Sequence, residues 1–130
     1  MKRIVVILTV LIVVAGCTSN EEAARNAADG FLSNYWRADY QEARQFCTPD
    51  FAALIDTAVA DVGSLPDLIR EKMRTFSENT SYEIVAIDAE SVENQASIEY
   101  ELQAAGIEKP LKKRLVMVRE GKKYLVDDMN

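Results

Sequence analysis

Gln95-Ala96-Ser97-Ile98-Glu99-Tyr100-Glu101-Leu102-Gln103-Ala104 alternates apolar and polar residues without a break. Successive side chains on a strand point to opposite faces. Ala96, Ile98, Tyr100 and Leu102 therefore share one face, and Ser97, Glu99, Glu101 and Gln103 the other. This is the pattern of an antiparallel strand with one face on a core and one in water. Its neighbours extend the pattern. Residues 81–89 hold Tyr82, Ile84, Val85, Ala86 and Ile87, which predicts a mostly buried strand, and Glu93-Asn94 is turn-like. Gly106 to Pro110 makes a loop before a strand over 111–119, and Glu120-Gly121 turns the chain into a last strand over 122–129. Four strands joined by short turns form an antiparallel meander.

Upstream of residue 80 the apolar spacing changes to three and four, the period of a helix. Ser19 with Glu22 fits a capping box. The helix that follows carries Ala24, Ala28, Phe31 and Tyr35 on one face, with Ala27 and Leu32 beside them, and is expected to end near Arg37. Asp39 with Glu42 is a second start, for a short helix over 40–47 that offers Ala43, Phe46 and Cys47 to a core. Thr48-Pro49-Asp50 is a third: an N-cap, a proline at the first helical position and an acid in the first turn. Phe51, Leu54, Ile55, Ala58, Val59 and Val62 follow until Gly63. Ser64-Leu65-Pro66-Asp67 begins a fourth helix with Leu65, Leu68, Ile69, Met73 and Phe76 on its apolar face. Helices followed by strands define the α+β class. Phe31, Phe46, Leu54 and Tyr100 are expected to meet between the two layers.

The N-terminus carries a different signal. Met1-Lys2-Arg3 is a positive start, residues 4–14 are apolar but for Thr9, and Val14-Ala15-Gly16-Cys17 closes the run with small residues and a cysteine. The run is too short for a membrane-spanning helix, which needs about 20 apolar residues. It has the length and order of a secretory signal. Its V-A-G-C ending resembles the signal of bacterial lipoproteins, where the cysteine is acylated and becomes the first residue. The alternative is a plain signal peptide with an incidental cysteine. The resemblance implies a signal peptide over 1–16, a lipidated N-terminus at 17–19 with Cys17 modified, for example by palmitate, and one domain over 20–130. It also implies a bacterial cell-envelope location, tethered to the membrane by lipid. Thr18 stands where an Asp resembles an inner-membrane retention signal, which favours the outer membrane.

Removing residues 1–16 takes the formal charge from −6 to −8. A chain this acidic does not suit nucleic acid, which wants a basic surface. There is no histidine, and Cys47 is the one cysteine besides Cys17, so neither metal nor cofactor is expected. Cys47 follows Phe46 in an apolar helical turn. A core thiol is the favoured reading, ahead of intermolecular pairing or chemistry.

The run Phe31-Leu32-Ser33-Asn34-Tyr35-Trp36-Arg37-Ala38-Asp39-Tyr40-Gln41-Glu42-Ala43, with Gly121-Lys122-Lys123-Tyr124-Leu125-Val126-Asp127 near the end, resembles the nuclear-transport-factor-2-like superfamily. The longer run is similar to that family's helix, acidic break and short helix after it. The shorter run is similar to its final strand. The likeness spans nearly all of 20–130. It implies a cone-shaped, cystatin-like arrangement, helices held in a curved antiparallel sheet around a cavity. The nearest group is the small bacterial lipoproteins of this fold whose domain has no assigned function. The fold hosts enzymes and non-enzymes alike. Ketosteroid isomerase resembles it and uses an Asp base with Tyr and a protonated Asp. Where that tyrosine would fall, this chain has Phe31 and Leu32, and the histidine of dehydratase-like members has no counterpart.

Tyr35, Trp36, Asp39 and Tyr100 are the possible cavity-lining residues. An acid among aromatics can bind or deprotonate a ligand, but Asp39 is more simply a helix N-cap. Arg44 and Asp56 suit either a cavity mouth or ordinary exposed faces. Lys112-Lys113-Arg114 is the only basic run. Its residues alternate between faces, and Glu99 and Glu101 are natural cross-strand partners. The favoured reading is a non-catalytic module for a small apolar ligand or another envelope protein. The alternative is an isomerase- or dehydratase-like enzyme using carboxylate and tyrosine groups. Replacing Cys17 with Ser is expected to block acylation and leave precursor or a soluble product. Radiolabelled palmitate on the Cys17→Ser protein would overturn the lipid-anchor reading.

Overall fold

The computed structural model describes residues 19–130, the side chain of Ser19 excepted. The signal segment, Cys17 and the cap expected of Ser19 lie outside the described residues. Among the described residues four α-helices precede a four-stranded antiparallel sheet, an α+β architecture. Helix α1 spans Ser19–Tyr35, α2 Tyr40–Ala43, α3 Pro49–Gly63 and α4 Asp67–Glu78; a 3-10 turn, Arg44–Phe46, follows α2. Strands β1 Ser81–Asp88, β2 Gln95–Gln103, β3 Leu111–Glu120 and β4 Lys123–Met129 lie side by side in chain order. No described helix is long and apolar enough to cross a membrane.

The alternation in β2 decides the core. Ala96, Ile98, Tyr100 and Leu102 are buried, and Leu115 and Met117 of β3 join them with Tyr124 and Val126 of β4. Helix α1 covers this face with Ala24, Ala28, Phe31 and Leu32, all fully buried. A further attachment lies between the helices and β4. Cys47 bridges Val126 in parallel fashion, and the Thr48 N–H donates to the Val126 carbonyl at 2.9 Å. The buried Thr48 hydroxyl caps α3 by accepting from the Phe51 N–H at 3.3 Å and donates to Asp127 at 3.0 Å. Gly121, at φ +63°, opens the two-residue β3–β4 hairpin loop, a position that demands positive φ.

Several expectations are corrected. Leu54 is 65% exposed and does not meet Phe31 and Tyr100; Phe51, Ala52 and Ile55 carry the buried side of α3. Phe46 is half-buried, packed on the margin of the core. Ser64 does not start α4. Its hydroxyl donates back to the Asp61 carbonyl at 2.7 Å and closes α3, while Pro66 precedes α4 without a side-chain cap. Strand β1 is not mostly buried. It is an edge strand whose register slips between Ile84 and Ala86, leaving Val85 51% exposed, as a bulge at a sheet edge does. The apolar face of α4 is outside the core altogether: Leu68, Ile69, Met73 and Phe76 are all exposed.

The margin of the core is tight at one point. A Cβ added at Gly30, within α1, would stand 2.5 Å from Cε1 and Cζ of Phe46. Alanine ordinarily favours a helix interior over glycine by about 1 kcal/mol, whereas overpacking costs roughly 1–3 kcal/mol. Gly30→Ala is therefore expected to destabilise the protein by about 1 kcal/mol. In a Phe46→Ala background the same change should stabilise by about 1 kcal/mol. Urea melts of the two single variants and the double variant read this sign change, and its absence would mean the ring does not rest on Gly30.

Candidate functional site

The site begins where α1 ends. The Ala38 N–H donates to the Tyr35 carbonyl at 3.1 Å and the Asp39 N–H to the Asn34 carbonyl at 2.9 Å. These two bonds, with Ala38 at φ +63°, make a Schellman closure. Glycine usually fills that left-handed position, so Ala38 holds a locally strained backbone. The closure turns the chain sharply and gathers aromatic rings at the end of α1. Tyr35 stacks on Phe31 with centroids 5.3 Å apart and meets Trp36 and Tyr40 edge-on at 5.0 and 5.5 Å.

Tyr35, Trp36 and Tyr40 form one wall of a cleft of about 680 Å³. The opposite wall is α4, through Ile69, Met73 and Phe76. Arg37, Arg70, Lys72 and Arg74 also line the cleft, and no described Asp or Glu does. Arg70 pairs with Asp67, and Arg74 with Glu71 at 2.5 Å, both within α4. Arg37 and Lys72 make no ion pair with any described residue. Burial raises the Tyr35 and Tyr40 hydroxyls above the usual phenol range, and for Tyr35 the neighbouring Tyr40 adds to it.

Of the residues singled out from sequence, Tyr35 and Trp36 line the cleft. Asp39 does not. Its carboxylate accepts the Glu42 N–H at 3.3 Å as the cap of α2, and it borders a separate cavity of about 450 Å³. The Asp39 N–H is taken by Asn34, so that N–H is not free for the reciprocal half of a capping box. Arg44 and Asp56 pair with each other at 2.8 Å beside that other cavity. Tyr100 lies in the core at 1% exposure and does not line the cleft. Cys47 is buried, donates to the Ala43 carbonyl, and has its thiol pushed up to about 12 by burial, against a smaller opposing pull from Arg44. It is therefore a protonated core thiol at neutral pH. The register sets Arg114 opposite Glu99 and Lys112 opposite Glu101, so the basic run meets acids on the neighbouring strand.

Sequence reasoning gave α4 an apolar face and did not single that face out as a site. One signal could have marked it. Ile69, Lys72, Met73 and Phe76 stand at i, i+3, i+4 and i+7, which puts a lysine within the apolar stripe. No group of acids, cysteines or histidines able to hold a metal occurs among the described residues. No family model matches the chain, and no curated protein or solved structure does either.

Two buried polar atoms, Trp36 Nε1 and the Tyr100 hydroxyl, complete no hydrogen bond with a described residue. Burial pushes the Tyr100 phenol up to about 12, opposed by the nearby Trp36 indole N–H and reinforced by Tyr35. Cys47 is raised likewise. An acid whose folded pKa is raised keeps its proton after the unfolded chain has lost its own. Stability present below pH 9 to 10 should therefore fall as pH rises toward 12. Tyr100→Phe is expected to make that alkaline decline shallower. At pH 7 it should stabilise the protein by about 1 kcal/mol, since it removes an unpartnered buried hydroxyl. Urea melts at pH 7 and at alkaline pH read both effects. A loss above about 1 kcal/mol at pH 7 would show instead that the hydroxyl is bonded.

Proposed function

We propose that the protein is a lipid-anchored module of the bacterial cell envelope that binds a small apolar ligand and does no chemistry on it. The observation that carries the reading is the cleft between the aromatic end of α1 and the exposed apolar face of α4. Its volume of about 680 Å³ suits a small molecule, for which sites run roughly 300–1,000 Å³. Apolar walls with a few polar groups fit binding. An isomerase- or dehydratase-like activity needs a desolvated carboxylate. Every described Asp and Glu is exposed except Glu101, which is half-buried on β2 away from the cleft. Binding of an envelope protein on the same face is the neighbouring alternative.

The nuclear-transport-factor-2-like cone belongs to this proposal. Register slips in β1 and between Val116 and Met117 of β3 favour a twisted, curved sheet, and α1 lies on one face of it. The lipid on Cys17, the tether to the membrane and the preference for the outer membrane rest on the N-terminal sequence alone.

Trp36 is the only tryptophan, so its fluorescence reports on the cleft directly. With the acylated chain held in lipid nanodiscs, a brominated alkyl methyl ester is expected to quench Trp36 saturably. Phe76→Asp, which places a charge on an already exposed wall residue, should abolish saturation. Quenching that rises linearly, or is unchanged by Phe76→Asp, would sink the proposal.

A further inference from the structure

We infer that the occupant of the cleft is a single-chain amphipathic anion, its chain among the rings and aliphatic side chains and its head group at Arg37 and Lys72. The inference rests on the reading of the cleft as a ligand site and adds the charge and shape of the ligand. Four cations and no described acid line this cleft, in a chain that is acidic overall. Arg70 and Arg74 already have carboxylate partners on α4; Arg37 and Lys72 have none among the described residues. Lys72 also stands between Ile69 and Phe76 on the stripe that faces the cleft. An ammonium in that place favours an occupant with a negative end, since a purely apolar one would desolvate it without compensation. A charged head held by guanidinium and ammonium donors gains charge-assisted hydrogen bonds.

The other occupants fit less well. Another copy docking by α4 would bring Lys72 against its own twin. The protein's own acyl chains are expected at Cys17, before α1, while the cleft lies at the far end of that helix, about 25 Å along its axis. The ligand is assigned as a free molecule, and the test distinguishes it from lipid of the anchoring bilayer.

The test compares a brominated long-chain fatty acid with its methyl ester, using Trp36 quenching of the acylated chain in nanodiscs. The carboxylate is expected to bind about tenfold tighter than the ester, the scale of one charge-assisted contact. Lys72→Gln with Arg37→Gln should erase that difference. An alkyl phosphate of equal length should compete if the site reads negative charge, and an alkyl trimethylammonium should not. Equal binding of acid and ester, with no effect of the double variant, overturns this inference but leaves the apolar ligand site intact. Quenching by neither overturns both. Saturating quenching by brominated phospholipid placed in the disc itself would show that the bilayer reaches the cleft, and would overturn the free-ligand assignment.

Discussion

The packing of α1 against the inner face of the sheet is the contact on which the rest depends. Ala24 and Ala28 have no exposed surface, so the helix backbone lies close to the strands. Phe31 and Leu32 then join Ile98, Leu115 and Met117 in one buried cluster. Buried apolar surface contributes about 25 cal/mol per Å², and these side chains account for much of the core. The attachment of Cys47 and Thr48 to Val126 and Asp127 is directional where the helix packing is not. It fixes where α2 ends and α3 begins relative to β4.

That arrangement has a consequence for α4. With α1, the short helical turn and the first two turns of α3 occupying the inner face, little of the sheet is left for a fourth helix to cover. The apolar residues of α4 therefore face the end of α1 across a gap. The Schellman closure at Ala38 sets the other wall, since it leaves Tyr35 and Trp36 at the rim instead of continuing α1. The cleft is thus a product of how the core closes and needs no dedicated loop.

The strands were legible because one face is wet and the other dry, which makes the period of two visible in β2. The helix starts at Asp39 and Thr48 were legible because a cap is a local interaction between residues three apart. What α4 faces was not legible. An amphipathic period says that a helix has an apolar side, but not whether that side meets a core, a ligand or another surface. Leu54 failed for the same reason, since α3 presents several apolar positions and only tertiary packing selects Phe51, Ala52 and Ile55. Val85 failed because a bulge shifts facing by one residue and leaves no mark in composition. Of the site, Tyr35 and Trp36 were readable as an aromatic cluster, but their partners 33 to 41 residues on were not. Only Lys72, out of place on an apolar stripe, marked that stripe as something other than core.

The position of α4 also bears on how binding and folding are linked. A helix of 12 residues is marginal in water on its own, since nucleation costs more than a few turns return. Helix α4 has few contacts with the other described elements, so its order rests on its own hydrogen bonds and on the Arg70–Asp67 and Arg74–Glu71 pairs. Exposed i,i+3 pairs of this kind contribute only about 0.2–0.5 kcal/mol each. Whatever covers Ile69, Met73 and Phe76 supplies the apolar contact that the rest of the fold withholds. On the proposed reading, ligand binding and ordering of α4 are one equilibrium, because a ligand that binds only the ordered helix stabilises it. Regions with few buried contacts are the ones that open most readily. The wall carrying Lys72 is such a region, whereas the wall carrying Trp36 is fixed to the core through α1, so on that reading entry to the cleft falls to α4.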